Sequence, residues 1–181
     1  MAELHEIMDA NLPMSIDSQT VFPWLSLIVL LPAVGALIMP FLPAQESKNT
    51  NLPRNISLVI LFTDFLIIVG AFANLFDPSS ESLQLVERLQ WLPSIGLEWS
   101  LGVDGISAPL VVLSGLITLL SAAASWKVKQ KTRLYFALLL IQASAQALVF
   151  LSQDFLLFFL AWELELVPVC LLYTSPSPRD S

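Results

Sequence analysis

The sequence predicts an all-α fold, a multi-pass transmembrane bundle of about five helices. Of its 181 residues, 56% are hydrophobic and only 13% are charged, and the apolar residues gather in long runs. Soluble domains carry about 25% charged residues, so this composition is typical of a membrane protein. The single cysteine and single histidine argue against a disulfide framework and a metal cluster. The net charge of −7 argues against nucleic acid as a partner.

Five apolar runs are long enough to cross a bilayer as helices. A helix rises about 1.5 Å per residue and needs about 20 residues to cross roughly 30 Å of hydrocarbon. The runs show no alternation of apolar and polar residues, which excludes barrel strands, and backbone groups in lipid must be satisfied within the fold. The predicted spans are 22–41, 56–76, 105–126, 134–151 and 155–172.

Two segments lie outside these spans. Residues 1–21 contain four acidic residues and no Lys or Arg, so they lack the basic region of a signal peptide and are interpreted as an acidic N-terminal extension. Residues 173–181, "YTSPSPRDS", change abruptly from apolar to Ser/Pro-rich. We interpret them as a non-native tail and exclude them from the fold prediction.

The basic residues predict the orientation in the membrane. Lys48 and Arg54 lie between the first two predicted spans, and "KVKQKTR" at 127–133 lies between the third and fourth. The connection between the second and third spans is acidic. The positive-inside rule therefore puts the first and third connections on the cytoplasmic or stromal side. The N-terminus is expected on the periplasmic or lumenal side.

Two carboxylates lie inside the fifth apolar run, "FFLAWELELVPVC" at 158–170. Glu163 is nine residues past Asp154, roughly 14 Å along a helix axis and close to the bilayer midplane. An ionised carboxylate there costs at least about 2.5 kcal/mol, so it must take up a proton or pair with a cation. Since none of the eight basic residues lies inside a predicted span, the partner is a proton or a residue on another segment.

These considerations make Glu163 the first candidate for a buried proton-path carboxylate and Glu165 the weaker one. The two lie about 200° apart around a helix, so only one is expected to look into the protein interior. Pro168 leaves the carbonyl of Leu164 without its helical donor, and such a carbonyl beside a carboxylate can hold water or a mobile proton. A structural role, in which either acid pins helices together through hydrogen bonds, is the alternative.

Other polar residues in the predicted spans are candidates either for helix packing or for the proton path. Gln142 and Gln146 form an i, i+4 polar stripe on the fourth run, with Ser144 nearby. Such stripes usually hold helices together in lipid, and lining a water wire is the other interpretation. Asp64, in the second run, is expected nearer a membrane interface. Its expected role is structural, with its hydrogen bonds satisfied.

The stretches "WLPSIGLEWS", "LGVDGISAPLVVLSGLITLLSAAASW" and "FFLAWELELVPV" together carry a resemblance to a known family. They resemble the antiporter-like chain 4 of the proton-pumping NAD(P)H-quinone oxidoreductases, which are respiratory complex I and its photosynthetic relative, NDH-1. The similarity covers roughly residues 22–172. The acidic N-terminal stretch and "WELELVPV" look most like the cyanobacterial or plastid version.

The resemblance implies a subunit of a translocase enzyme, in which electron transfer from NAD(P)H to quinone or plastoquinone is coupled to proton translocation. It implies NAD(P)H, flavin and iron–sulfur clusters on other subunits, and no cofactor on this chain. The implied partners are other membrane subunits, the lipid bilayer and, through the complex, the quinone, in a thylakoid membrane. It also implies that Glu163 is the family's essential glutamate, with a lysine on a later helix as its partner.

Members of that family are longer than this chain, which is therefore expected to be an N-terminal fragment. Two other functions stay open at this point. One is a cation/proton antiporter subunit, which the same buried acid would suit, and the other is a structural membrane protein without transport activity. Intramembrane lysines in a C-terminal continuation would separate both transport functions from the structural one.

Overall fold

The computed structural model describes residues 22–41, 52–78, 82–92, 94, 96–125 and 132–173. Within these ranges the chain forms five long helices and one β-hairpin. The helices are α1 (Trp24–Ile38, extended by a 3-10 turn at Met39–Phe41), α2 (Leu52–Leu75), α3 (Ser107–Ala124), α4 (Thr132–Leu151) and α5 (Phe155–Tyr173). The strands are β1 (Gln84–Leu92) and β2 (Leu97–Val103).

The predicted membrane helix bundle is confirmed. A helix occupies each predicted span, and the largest difference is that α2 begins at Leu52 rather than at residue 56. The first four helices, with the 3-10 turn counted as part of α1, are long and apolar enough to cross a membrane. The fifth, α5, has 19 residues, and its membrane crossing stays a prediction. Tyr173, which the sequence assigned to a foreign tail, ends α5, whereas residues 1–21 and 174–181 lie outside the described ranges.

The hairpin is an element that the sequence did not predict. Its strands pair antiparallel, with Glu87 opposite Leu101. An isolated β-bridge also pairs Leu101 with Ser152, just after the end of α4. The N–H of Gln153 also donates to the carbonyl of Ser100 at 2.8 Å. Because Leu101 is fully buried, the hairpin closes one end of the bundle rather than projecting into solvent.

The apolar core divides into two clusters, one above the other along the helix axes. The cluster at the hairpin end joins Ile68, Val111, Leu148 and Leu101 to their neighbours. The cluster at the opposite end contains Leu61, Ala122, Phe136 and Leu140, among others. Between the two clusters α2, α3 and α4 carry polar residues, which we call the polar layer: Asp64, Ser114, Thr118, Gln142, Ser144 and Gln146.

Helix α4 holds the centre of the bundle. It packs against α1, α2, α3 and α5, and its residues 136–140 are all buried, which happens only when a helix is covered on every side. Helices α1 and α2 approach closely at Gly35, where an added Cβ would lie 2.8 Å from Cδ1 of Ile60. The polar layer is therefore largely enclosed by neighbouring helices: four of its six residues are buried, and the two glutamines are half-buried.

Candidate functional site

The two carboxylates of α5 lie near the middle of the helix and on opposite sides of it. Glu163 is the ninth of 19 residues and Glu165 the eleventh. Glu165 is half-buried and accepts a hydrogen bond of 3.0 Å at Oε1 from Nε2 of Gln142 on α4. Glu163 is exposed and lies on the face of α5 that points away from α4. As predicted, one acid of the pair looks into the bundle.

The acid that faces the bundle is Glu165, whereas the sequence predicted that Glu163 is the buried one. Helix α5 is the last helix of the described chain and rests on α4 with one face only, the face that carries Leu157, Ala161 and Glu165. Two residues further along a helix correspond to about 200° of rotation. Glu163 therefore falls on the uncovered face whenever Glu165 meets α4.

The Gln142–Glu165 contact suits a carboxyl group that changes its protonation state. An ionised carboxylate accepts hydrogen bonds only, and the amide of Gln142 donates one to it. A protonated carboxyl must also donate, and the amide oxygen can accept that bond after a half-turn of the side chain. Oε1 of Gln142 is buried and has no hydrogen-bond partner among the described residues, so one acceptor stands free at this position.

The remaining polar residues of α4 point to different neighbours. Gln146, one turn after Gln142, places Oε1 at 3.5 Å from Oγ1 of Thr118 on α3. Ser144, on the other side of α4, donates from Oγ to the carbonyl of Val29 on α1 at 2.7 Å. The predicted stripe thus divides into Ser144, which holds α4 to α1, and the two glutamines, which face α3 and α5.

Asp64 lies near the middle of α2, and one of its carboxyl oxygens has no partner among the described residues, in contrast to the expectation of a satisfied acid nearer an interface. It is the thirteenth of the 24 residues of α2, and it was also near the middle of the predicted span 56–76. Its side chain is 5% exposed, and Oδ1 is buried without a hydrogen-bond partner in the described part of the chain. Asp64 therefore belongs to the polar layer at mid-height.

Pro168 lies inside α5 and is buried. Proline has no N–H, so the carbonyl of Leu164 lacks its usual helical donor. Glu163 and Glu165 flank Leu164 in the sequence, so the freed carbonyl lies between the two acids. The helix nevertheless continues to Tyr173.

Sequence reasoning missed Ser114 and Thr118, which are buried on α3 and line a small cavity with Asp64. Their i, i+4 spacing in an apolar run was the available signal, because it places two hydroxyl groups on one helix face. It also missed Glu87, which was counted only as one of several acids in a connection.

Glu87 caps the start of α1 from the hairpin. Its Oε1 accepts a hydrogen bond from the N–H of Leu25 at 2.7 Å, and its Oε2 accepts from the N–H of Ser26 at 2.9 Å and from the Ser26 hydroxyl at 2.5 Å. Trp99 of β2 donates from Nε1 to the same hydroxyl at 2.9 Å. A negative charge is favourable at this point because the first N–H groups of a helix have no intrahelical acceptor.

Two further acids cap helices at the same end of the bundle. Oδ1 of Asp104 accepts from the N–H groups of Ser107 and Ile106 at 2.6 and 3.1 Å, and the bonds from Ser107 hold the pKa of Asp104 below its usual value. Oδ1 of Asp154 accepts from the N–H groups of Leu157 and Leu156 at 3.0 and 2.7 Å. Those bonds, that from Leu157 first, lower the pKa of Asp154.

Comparison with known proteins assigns the chain to a family. The family described as "NADH-ubiquinone oxidoreductase chain 4, amino terminus" matches residues 19–152, which is more than half of the sequence. The chain belongs to this family. The match includes the polar layer on α2, α3 and α4 and ends before α5 begins, so the roles of Glu163 and Glu165 remain predictions.

Several relatives of this chain 4 family are about half identical to the protein. One from Trichormus variabilis, "NAD(P)H-quinone oxidoreductase chain 4 3", is 50% identical over 151 residues, and one from Prochlorococcus marinus (strain NATL1A), "NAD(P)H-quinone oxidoreductase chain 4", is 52% identical over 154. These alignments cover 83% and 84% of this chain. The chain spans 28% of the length of each of these relatives.

A solved structure has a similar fold. A chain of "Respiratory complex I from Thermus thermophilus with bound NADH" matches with a TM-score of 0.68 and 24% sequence identity. The match covers 83% of this chain and 29% of that chain. At this identity the likeness supports the helical bundle alone.

Proposed function

We propose that this chain is part of a proton-translocating membrane subunit of an NAD(P)H-quinone oxidoreductase. Electrons pass from NAD(P)H to quinone on other subunits, and their transfer drives protons through the membrane subunit. Membership of the chain 4 family supports this function. The observation that carries it is the placement of two carboxyl groups near the middle of an apolar helix, one of them bonded to the polar layer.

Glu163 is proposed as the principal proton-path acid. Its neighbours on the outer face of α5 include Trp162, Leu166 and Val167, all exposed and apolar. An ionised carboxylate facing hydrocarbon there would cost at least about 2.5 kcal/mol, and such groups almost always face protein or water. We therefore propose that further protein of the complete subunit covers this face and brings a cation to Glu163.

A covered Glu163 can then alternate between two states. A cation beside it stabilises the ionised carboxylate, and removal of the cation makes the buried charge unfavourable, so that the group takes up a proton. Return of the cation releases the proton again. Glu165, with its donor Gln142 at 3.0 Å, is proposed as a second and weaker proton-binding group on the inner face of the same helix.

The cofactors of the reaction are proposed to lie on other subunits. Iron–sulfur clusters are usually held by sets of four cysteines, and this chain has one cysteine and one histidine, so this part of the protein does not fit such a cluster. Its own proposed surroundings are the bilayer and neighbouring membrane subunits, and it meets the quinone only through the complex.

We propose the thylakoid membrane as the location, because the named relatives are cyanobacterial, with the N-terminus on the lumenal side. Arg54 and Arg133 lie in the first turns of α2 and α4, the ends opposite the hairpin, and the acidic caps lie at the hairpin end. Reporter domains fused after Lys129 are expected on the cytoplasmic or stromal side, and reporters near Glu87 on the other. Both on one side would contradict this orientation.

The proposed function is tested with the complete protein in its native membrane. An affinity tag on the full-length chain should recover a complex that oxidises NAD(P)H or another donor and reduces quinone. Vesicles that contain this complex should take up protons when donor and quinone are added. Recovery without any quinone-reducing activity, together with proton movement driven by a cation gradient, would favour the antiporter function. Recovery with neither activity would favour a structural role.

A further inference from the structure

Asp64 is a buried acid to which the proposed function assigns no role. It lies at mid-height on α2, with 5% of its side chain exposed, and lines a cavity between α2, α3 and α4. The cavity leaves about 10 Å³ for the centre of a water molecule, which is about the minimum that one ordered water requires. Oδ1 is buried without a hydrogen-bond partner among the described residues.

The three helices come together closely around this carboxyl group because small residues line the cavity. Ala143 and Ala147 of α4 and Gly115 of α3 contribute to its wall. A Cβ added at Gly115 would lie 3.1 Å from Cδ1 of Ile68, so α3 lies too close to α2 here to leave space for a larger side chain. The site is thus enclosed by packed protein on the side where Asp64 points.

The polar groups of the wall offer acceptors to Asp64 rather than donors. The hydroxyl hydrogen of Ser114 is used in a bond to the carbonyl of Val111 at 2.9 Å, and that of Thr118 in a bond to the carbonyl of Ser114 at 2.9 Å. Their oxygen lone pairs remain available. An ionised carboxylate needs donors, whereas a protonated carboxyl supplies its own. The wall therefore fits the protonated form.

Asp64 is the only titratable group among the described residues that line the cavity. Helices α1 and α3 contain no titratable residue. The basic side chains on α2 and α4 are Arg54, ten residues before Asp64, and Arg133, ten residues before Ala143 of the cavity wall, and each separation is roughly 15 Å along the axis. Tyr135 is the other titratable group of α4 and lies in its first turn. Within the described chain, no cation faces Asp64 from the cavity wall.

Polar groups lead from this cavity to α5. Thr118, on the cavity wall, has Oγ1 at 3.5 Å from Oε1 of Gln146. Gln142 follows on the same face of α4, one turn away, and donates to Glu165 at 3.0 Å. Oε1 of Gln142 is buried without a described partner, so it can accept a hydrogen bond from a water molecule. The row Asp64, Thr118, Gln146, Gln142, Glu165 crosses the bundle from α2 to α5.

We propose that Asp64 is an intramembrane proton-binding site and that it exchanges its proton with Glu165 along this row. Transfer converts the Asp64 carboxylic acid to a carboxylate and the Glu165 carboxylate to a carboxylic acid, with water held by Thr118 and the two glutamine amides as the carrier. The total charge of the two acids stays the same. The exchange rests on the proposed function, whereas proton binding by Asp64 does not.

Infrared difference spectroscopy of the complete complex in membranes tests proton binding directly. Samples carry aspartate labelled with ¹³C at the side-chain carboxyl group, which shifts aspartate bands and leaves glutamate bands in place. We expect a protonated-carboxyl band that shifts with this label, disappears in Asp64→Asn and persists in Glu163→Gln. Thr118→Val keeps the acid but removes an acceptor from the wall, so the band should move without being lost.

Proton uptake per electron by the same variants tests the exchange. Asp64→Asn should lose part of this uptake while quinone reduction continues, and Asp64→Glu should restore part of it. A protonated-aspartate band that is the same in wild type and Asp64→Asn would overturn the proposal. Absence of any such band, with uptake that requires Na⁺, would overturn it as well and identify the cavity as a cation site.

If Asp64→Asn fails to assemble, the band in Thr118→Val decides the question, because this variant leaves Asp64 in place. An unmoved band there would overturn the assignment. Normal uptake in Glu163→Gln with loss of the Asp64 band in Asp64→Asn would contradict the proposed principal acid and leave proton binding by Asp64 intact.

Discussion

The hairpin end of the bundle and the polar layer both contain acidic side chains, and they provide these acids with different partners. At the hairpin end, Glu87, Asp104 and Asp154 each accept at least two hydrogen bonds from backbone N–H groups at the start of a helix. At mid-height, Glu165 accepts one bond from an amide, and Asp64 has a buried oxygen without a described partner.

We propose that the number of available donors separates two roles for the same functional group. Several N–H donors and the positive end of a helix favour the ionised form, in keeping with the lowered pKa values of Asp104 and Asp154. Few donors and a low-dielectric setting favour a group that can bind a proton. We expect substitutions at the hairpin end to change assembly, and substitutions at mid-height to change proton movement.

Glu87→Ala should have the largest effect on assembly. It removes the acceptor of three hydrogen bonds at the start of α1, and a lost helix cap with charged bonds costs about 2 kcal/mol or more. We expect much less of the full-length chain in the complex after heating in mild detergent. Glu98→Ala, on the exposed side of β2, is the matched control and should behave like wild type. Equal loss of the assembled complex in both variants would show that the Glu87 cap contributes no more to stability than an exposed glutamate does.

A pair of substitutions on opposite sides of α4 sharpens the comparison within the polar layer. Gln142→Leu removes the donor to Glu165, a bond to a charged group worth roughly 1.5–3 kcal/mol, and should lower proton uptake per electron while the complex still assembles. Ser144→Ala removes the bond to Val29 of α1 and should cost about 1 kcal/mol or less of stability, with normal uptake. The reverse pattern would show that the glutamine only packs helices.

The smallest expected effect is a loss of stability in acid that originates at the hairpin end. Asp104 and Asp154 have lowered pKa values in the folded chain, so the unfolded chain binds their protons at a higher pH. Their stabilisation is complete above the ordinary carboxyl pKa and is lost as the pH falls through the folded values. Asparagine also caps helices well but does not titrate. The double variant Asp104→Asn, Asp154→Asn should therefore show a weaker loss of the assembled complex in acid than wild type does.

The helices could be predicted from sequence because run length and lack of charge are local properties. The hairpin was missed because the residues between two spans were treated as a connection. Its signal was the alternation in "LEWSLGV", where Leu97, Leu101 and Val103 are buried on one side, after Gly96 with its φ of +71° in the turn. The Glu87 cap could not be predicted, because it joins residues more than 60 positions apart.

The candidate site also depends on tertiary packing, which the sequence pattern does not predict. The helix period placed Glu163 and Glu165 on different faces, but the face that meets α4 depends on tertiary packing, and it is the face of Glu165. Asp64 already lay near the middle of its predicted span, and the earlier start of α2 moves it only slightly relative to the helix centre; the expectation that its hydrogen bonds are satisfied failed because its partners depend on tertiary packing. Arg54 and Pro53 lie in the first turn of α2, where a basic residue and a proline are tolerated but lower the apparent hydropathy.

Donor-driven proton uptake by vesicles that contain the complete complex, measured for Glu163→Gln and Glu165→Gln, tests the central claim most directly. Glutamine keeps the size and hydrogen bonding of a neutral glutamic acid but cannot release a proton. We predict that Glu163→Gln strongly reduces uptake while the complex assembles, and that Glu165→Gln has the milder effect. Normal uptake by Glu163→Gln with none by Glu165→Gln would make the inward acid the principal one. Normal uptake by both variants would contradict a proton path through α5.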